Sequence, residues 1–491
     1  MFPDRDTFLR LSGKGKVVPV YREILADLET PVSAYLKVME TPSFLLESVE
    51  GGEKWGRYSF IGTSVGKVIR ARGNRVELLE SGELKESREY EDPIDALKEQ
   101  ISLYRPVHVE GLPGFFGGLV GYVGYEMVRY FERVPDRDKP APGLYDMFFM
   151  IPDVLLIFDN LRHTLKIVAP IAVGDDDPDR AYTEAQERID RSIGLLRGVQ
   201  GKRKDPPSGG DDEHEFISSF GPAEAFEDAV RKAKEYVRAG DVIQVVLSQR
   251  FERGLSVSPF DIYRALRVIN PSPYMYYIDT GEARLIGSSP EILVKLEGKD
   301  VVLRPIAGTR GRGATEEEDR ALERELKEDP KEVAEHIMLV DLGRNDVGRV
   351  SEMGSVRVTE LMTVERYSHV MHLVSNVTGT LREGLDAFDV FRACFPAGTV
   401  TGAPKVRAME IIDELEPVKR GPYAGAVGYF GYSGNMDTCI TIRTIIAGDN
   451  RLYLQAGAGI VADSVPELEY KETVNKARGM IKAVDMAERG L

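Results

Sequence analysis

Four glutamates in two matched pairs are the first residues of this chain that could do chemistry together. In EDPKEVAEHIMLVDLGRND, Glu332 and Glu335 stand three apart. In SVPELEYKETVNKARGMIKAVDMAERG, Glu469 and Glu472 repeat that spacing, with Lys476 four residues on. Positions three or four apart share one helix face. Four carboxylates facing one another repel unless a cation lies between them. Hard oxygen ligands with room for water or substrate oxygens suit Mg²⁺. Each residue also has a plainer reading. Glu332 follows Asp329 by three and fits a capping box, and Glu469, Glu472 and Lys476 fit a solvated charged face. Glu335, beside an apolar run, fits neither.

LRPIAGTRGRG, residues 303–313, could cradle an anion, with three glycines among Thr309, Arg310 and Arg312. A phosphate loop of the Gly-x-x-x-x-Gly-Lys-Ser/Thr kind needs a lysine that this stretch lacks. Arg310 and Arg312 read as loop ion pairs.

The elements that must hold these groups are partly marked. Asp329, Pro330 and Glu332 mark a helix start, with Val333, Ile337 and Val340 as its buried stripe. Ser464 and Glu467 read as a capping box for the second acidic helix. In GPAEAFEDAVRKAKEYVRAGD, Phe226, Val230, Ala233 and Val237 recur at helical spacing, and Gly240 stops the helix. VGKVIRARGNRVELLE reads as a hairpin turning at Gly73-Asn74. GLVGYVGY and GAVGYFGY echo one another, as twisted strands packed alike in two sheets. Strands and helices alternate without a regular βαβ rhythm, which favours an α+β fold with antiparallel sheets.

At 491 residues the chain exceeds what one core usually serves. The expected division is 1–200, a polar linker at 201–220 (opening with GKRKDPPSGGDDEHE, 201–215), and 221–491. A formal charge of −16, spread along the chain, disfavours nucleic acid and anionic membranes. Two cysteines, Cys394 and Cys439, make no disulfide framework or zinc spacing. With no signal pattern and no apolar run long enough to span a bilayer, the expectation is a soluble cytoplasmic protein.

Seven stretches then converge. PIAGTR (305–310), EVAEHIMLVDLGRND (332–346), RYSHVMHLVS (366–375), FPAGTVTGAPK (395–405), GPYAGAVGY (421–429), DTCITIRT (437–444) and AGAGIVADS (456–464) resemble, in order, the chorismate-utilising enzymes. Within them the likeness is to the anthranilate synthase component I group, and SFLLESVEGGEKWGRYSFIG (43–62) extends it toward the N-terminus. The resemblance implies two stacked antiparallel sheets with outer helices and a cleft. It implies that Glu332, Glu335, Glu469 and Glu472 form a Mg²⁺ shell, partly through water, that holds the ring carboxylate of chorismate. Tyr423, Arg443 and the backbone near Gly457 and Gly459 would take the enolpyruvyl carboxylate. Gly308, Thr309 and Thr399 would line the substrate, and Lys476 would serve the carboxylates or the substrate. Glu291 matches the family's general acid for the departing 4-hydroxyl. His372 matches a histidine that assists pyruvate loss, whereas His369 has no role to carry over.

Among the family's reactions, isochorismate and salicylate synthases activate water with a lysine just before the Gly-Thr, and aminodeoxychorismate synthases use a lysine there as nucleophile. Here that position is Ala307. The implied reaction is therefore ammonia addition to give anthranilate, the first step of tryptophan biosynthesis, with those other synthases and an inactive regulatory homologue as alternatives. Neither cysteine lies in a nucleophile pattern, and the chain ends soon after Lys476. A separate glutamine amidotransferase subunit in a hetero-oligomer is therefore implied as the ammonia source. Leu46, Glu47, Ser48, Pro271, Tyr274 and Met275 match the segments of a tryptophan feedback site. Glu47 or Ser48 would bind the head group, and Pro271, Tyr274 and Met275 would wall the indole.

Overall fold

The computed structural model describes residues 1–49, 56–173, 177–198, 215–367 and 370–491. Its organising feature is a pair of long antiparallel strands, Tyr58–Arg72 and Met147–Asp159. Their register slips between Val65 and Lys67, opposite Pro152. An unpaired residue bends a strand and adds twist, and proline cannot donate to the ladder. The two strands therefore turn a corner together and take different neighbours on either side of it.

On one side they join Ser43–Glu47 and Thr164–Ala172. That layer extends through Tyr274–Asp279, Ala283–Ser289, Thr444–Gly448 and Arg451–Ile460 to Gln244–Gly254. On the other side they join Arg75–Glu80 and Gly118–Val123. This second layer continues through Ala426–Gly431, Met436–Ile440, Ile292–Glu297 and Asp300–Leu303 to Val370–Thr380. All these pairings are antiparallel. Phe44, Tyr276, Ile278 and Leu285 of the first layer meet Val68, Tyr122, Phe148 and Val427 of the second in a shared buried core. Helices cover the outer faces: Pro178–Arg197, Pro259–Ile269 and Pro466–Glu488 on the first layer, Ile94–Ser102 and Ala387–Cys394 on the second. This is the α+β arrangement of two stacked antiparallel sheets that the sequence led us to expect.

Several local expectations hold for the expected reason. The hairpin turns at Gly73-Asn74, with Arg72 opposite Arg75 and Gly73 at φ +60°. The Ala223–Ala239 helix ends on left-handed Gly240 and buries Phe226, Val230 and Ala233. Burial of such apolar side chains contributes about 1.5–3 kcal/mol for each large one.

Others need correction. The two echo segments are not in separate sheets; they pair with each other, Gly121 opposite Gly428. A Cβ at Gly121 would lie 1.9 Å from Phe148 O, and one at Gly428 2.1 Å from Asp437 O. The glycines are there because the backbones are crowded. In the Pro330–Gly348 helix the buried stripe is His336, Leu339, Val340, Gly343, Asp346 and Val347, while Ile337 is 44% exposed. The Pro466–Glu488 helix is capped at Val465 without a side-chain bond, and Ser464 accepts from Val461 N–H instead. The halves 1–200 and 221–491 are not separate cores, since strands of both interleave in both layers. Of the 201–220 linker, 201–214 lies outside the described residues, and Ile217–Ser218 already pairs with the Gln244–Gly254 strand. No helix among the described residues is long and apolar enough to cross a membrane.

Candidate active site

The chain crosses between layers twice at one corner. Ala283–Ser289 passes through Pro290 and Glu291 into Ile292–Glu297, and Met436–Ile440 passes through residues 441–443 into Thr444–Gly448. Backbone bonds stitch the crossings together. Ile440 N–H donates to Glu291 O (3.0 Å), and Ser288 N–H donates to Arg443 O (3.1 Å). The turn that carries Tyr423 is tied in as well, through Ala424 N–H to Thr441 O and Thr441 N–H to Gly425 O, both 2.9 Å. Residues far apart in sequence are thus fixed by peptide groups, which flex little.

Glu291 is buried, and burial pushes its carboxyl up to about 8, although the Thr399 hydroxyl, Lys476 and Arg443 favour ionisation. At neutral pH it is a protonated acid. Thr399 Oγ1 is buried against it without a hydrogen bond of ordinary geometry. Arg443 sits at φ +52°, a left-handed conformation that costs a non-glycine residue about 1–2 kcal/mol. Its guanidinium makes no ion pair or hydrogen bond among the described residues, so the sheet-edge pairing open to an arginine in ITIRT is not formed. Burial pulls its pKa down, while Tyr423, Glu472 and Glu291 act in the opposite sense. A half-buried arginine without an ion pair is costly to desolvate, and the planar fork matches a carboxylate. Nearby, Lys476 Nζ donates to Gly457 O (2.9 Å) and pairs with Glu472 (2.7 Å), so it neutralises that carboxylate while facing the glycine strand. A Cβ at Gly457 would lie 2.8 Å from Tyr423 Oη, and one at Gly459 2.3 Å from Gln244 Nε2. Beyond Leu454 the Arg451–Ile460 strand is paired only with Gln244–Gly254 among the described residues, leaving its other edge open.

Residues 303–313 supply the opposite wall. The Ile306–Gly311 strand bulges between Ala307 and Thr309, where Gly308 takes φ +72°, and a bulge re-aims the next side chain. Thr309 Oγ1 lies 3.0 Å from His372 Nδ1, which is 3.2 Å from Gly308 O. A carbonyl only accepts, so Nδ1 carries the proton and Nε2 is the basic nitrogen. Burial lowers the His372 pKa, which keeps the ring neutral. Arg310 pairs with Glu325, Asp329 and Glu332, and Arg312 with Asp319, as loop ion pairs. His369 lies outside the described residues. The sequence reading missed His336, which is fully buried, held neutral by desolvation and bonded through Nε2 to Ser375 Oγ (2.6 Å).

Two of the four glutamates feel their neighbours. Burial raises Glu335, and Glu332 and Glu472 raise it further; burial also raises Glu469, with Glu472 adding to it. Each also has its own partner: Arg310 for Glu332, Gln244 for Glu335, Ser464 for Glu469 and Lys476 for Glu472. Among the described residues no three metal-ligating groups stand close enough to chelate one ion. As a donor set, four carboxylates offer the all-oxygen ligands that a hard divalent cation takes.

A cavity of about 440 Å³ lies elsewhere, between the layers. Leu46, Glu47, Ser48, Tyr274 and Met275 line it, and Pro273 takes the place expected of Pro271. Glu47 is engaged by Tyr263 (2.5 Å) and Arg267 (3.2 Å). Glu291, Arg443 and Tyr423 are not in its walls.

The family model described as chorismate binding enzyme matches residues 42–482, which include every residue of this corner. The chain belongs to that family. Among relatives of this chorismate-binding enzyme, anthranilate synthase component 1 of Pseudomonas putida is 52% identical over 492 residues, 99% of each chain. Anthranilate synthase component 1 of Aquifex aeolicus is 51% identical over 98% of this chain and 97% of its own. The crystal structure of anthranilate synthase component I from Streptococcus pneumoniae TIGR4 superposes with a TM-score of 0.76 at 38% identity, covering 93% of this chain and 99% of that one. In this chorismate-binding enzyme both cysteines are buried, with thiols pushed far above their usual pKa. Neither supplies a thiolate nucleophile.

Proposed function

We propose that this chorismate-binding enzyme is the aminating component of an anthranilate synthase, converting chorismate and ammonia to anthranilate, pyruvate and water. The observation that carries this reading is the half-buried Arg443, which has no ion pair among the described residues, beside Glu291, a carboxyl that is protonated at neutral pH. The names of the relatives give it independent support.

Arg443 and Tyr423 bind the enolpyruvyl carboxylate, with the open edge at Gly457 and Gly459. Glu291 gives its proton to the 4-hydroxyl, which leaves as water while ammonia bonds at C2. The added ammonium loses a proton to solvent. His372, neutral and with Nε2 basic, takes the C2 proton as the ring C–O bond to the enolpyruvyl group breaks, and the ring becomes aromatic. The released enolate takes a proton at its methylene carbon to give pyruvate. When bound, Mg²⁺ would hold the ring carboxylate through Glu332, Glu335, Glu469 and Glu472 and neutralise them. Ala307 argues against the water-adding alternatives, since no amine stands there to activate water.

Ammonia comes from a glutamine amidotransferase partner, because no thiolate here can attack glutamine. With chorismate and Mg²⁺, ammonium salt is expected to support turnover and glutamine alone is not; EDTA is expected to stop it. Turnover with glutamine and the purified chain alone, or none with ammonium salt, refutes the reading.

The cavity between the layers is read as the tryptophan feedback site, its indole walled by Tyr274, Met275 and Pro273. Its lining reaches the reaction corner along two strands, since Leu296 and Glu297 continue Glu291, and Asp437 and Cys439 precede Arg443. Ser48→Phe fills this space and is expected to raise the tryptophan concentration for half inhibition at least about tenfold, a loss of some 1.4 kcal/mol of binding. Unchanged inhibition would remove the assignment.

A further inference from the structure

Behind the reaction corner lies an ion pair that the mechanism does not use. Glu416 and Arg420 are each 2% exposed. The helix Lys405–Leu415 stops at Glu416, before Pro417, so their spacing of four is not that of a surface helix pair. Arg420 Nε and Nη2 donate to the two Glu416 oxygens at 2.9 and 2.6 Å. The remaining bonds reach outward: Nη1 to Val400 O (2.7 Å) and Nη2 to Val246 O (2.9 Å). The guanidinium also lies 4.7 Å from the Tyr125 ring and 5.6 Å from the Tyr423 ring. Glu416 Oε1 accepts from Ser248 N–H (2.8 Å) and Oγ (2.9 Å).

Apart from the Tyr125 ring, each of these contacts is, or lies one residue or one strand register from, a group placed against the substrate. Val400 follows Thr399, Val246 is opposite Gly459, and Ser248 is opposite Gly457. Tyr423 is touched directly. Glu126 anchors the assembly from the N-terminal half, its two oxygens accepting from Arg420 N–H and Gly421 N–H at 2.9 Å. We propose that the Glu416–Arg420 pair is the positioning device of the site. It sets, without touching chorismate, the spacing between Thr399 on one wall and Tyr423 with the glycine strand on the other. A planar fork with several fixed donors does this, and a lysine, with one point charge, does not.

The inference rests on the reaction proposed above, and its test separates the two. Wild type, Arg420→Lys, Tyr423→Phe and the double variant are assayed for anthranilate from chorismate and ammonium salt, with KM and kcat resolved and melting followed in parallel. Wild-type turnover establishes the reaction; none from wild type refutes the reading on which the inference rests. Arg420→Lys is expected to lower kcat/KM by about ten- to 100-fold, as sub-ångström misplacement does. KM should carry part of the loss, and the remaining protein should melt cooperatively. In the Tyr423→Phe background the same substitution is expected to cost a smaller factor, because the share of the loss that runs through the placement of the Tyr423 hydroxyl is already gone while the share that runs through Val400 and the glycine strand remains. Wild-type kcat/KM in Arg420→Lys, or losses that simply multiply, overturns the proposal. If Arg420→Lys does not fold, Glu416→Gln, which keeps the volume and leaves Arg420 in place, is carried through the same cycle with the same criteria.

Discussion

Glu291→Gln is expected to lower kcat by about 10²–10⁴-fold, the range that loss of a positioned general acid produces. Glutamine keeps the shape and the polar contacts of the carboxyl but has no proton to give to a departing hydroxyl. The pH profile makes the claim specific. Burial holds the Glu291 carboxyl up to about 8, and the acid form is the working form. In kcat/KM, wild-type activity should therefore be level on the acid side of about pH 8 and fall with one proton as pH rises through it. The dianionic substrate disfavours a second carboxylate beside it, so the same limb should lie at higher pH in kcat. His372 must be neutral to accept a proton, and burial places its own pKa below the ordinary histidine value. The acid-side loss of activity should accordingly fall below the usual histidine range. In Glu291→Gln the alkaline limb should disappear; a retained limb would assign it to another group.

Arg443→Met is expected to raise the KM for chorismate by about 10²-fold or more, from two charge-assisted bonds at about 1.5–3 kcal/mol each. It should also leave the free protein as stable as wild type, or more stable. The side chain is half-buried without an ion pair among the described residues, so removing it takes away an uncompensated charge rather than a contact. A structural arginine would do the reverse and lower the melting temperature. Arg443→Lys should recover only part of the binding, since the point charge lacks the fork. Steady-state kinetics and a melting curve on each variant decide the matter.

What could be read from the sequence follows from the range of the interactions involved. The Asp329 cap, the Gly73-Asn74 turn and the stop at Gly240 depend on a few neighbouring residues, and each was legible. Ile337 fits the helical period as well as His336 does, but the helix buries the histidine because Ser375, from a distant strand, supplies its bond. Ser464 was expected to cap locally and instead serves Val461 and Glu469. Pro271 and Pro273 are indistinguishable until the chain's path past the cavity is known. The site residues came from motif resemblance; period and spacing alone would have left Arg443 an edge arginine and His372 a core histidine. Glu416 and Arg420 carried no legible signal, because their contacts lie on several other elements far off in sequence.

The most direct measurement of the central claim is the product formed by the purified chain from chorismate, Mg²⁺ and ammonium salt, identified by fluorescence and mass and quantified against pyruvate. The expected result is anthranilate and pyruvate in equal amounts. Isochorismate, salicylate, 4-amino-4-deoxychorismate or unreacted chorismate as the sole outcome would contradict it.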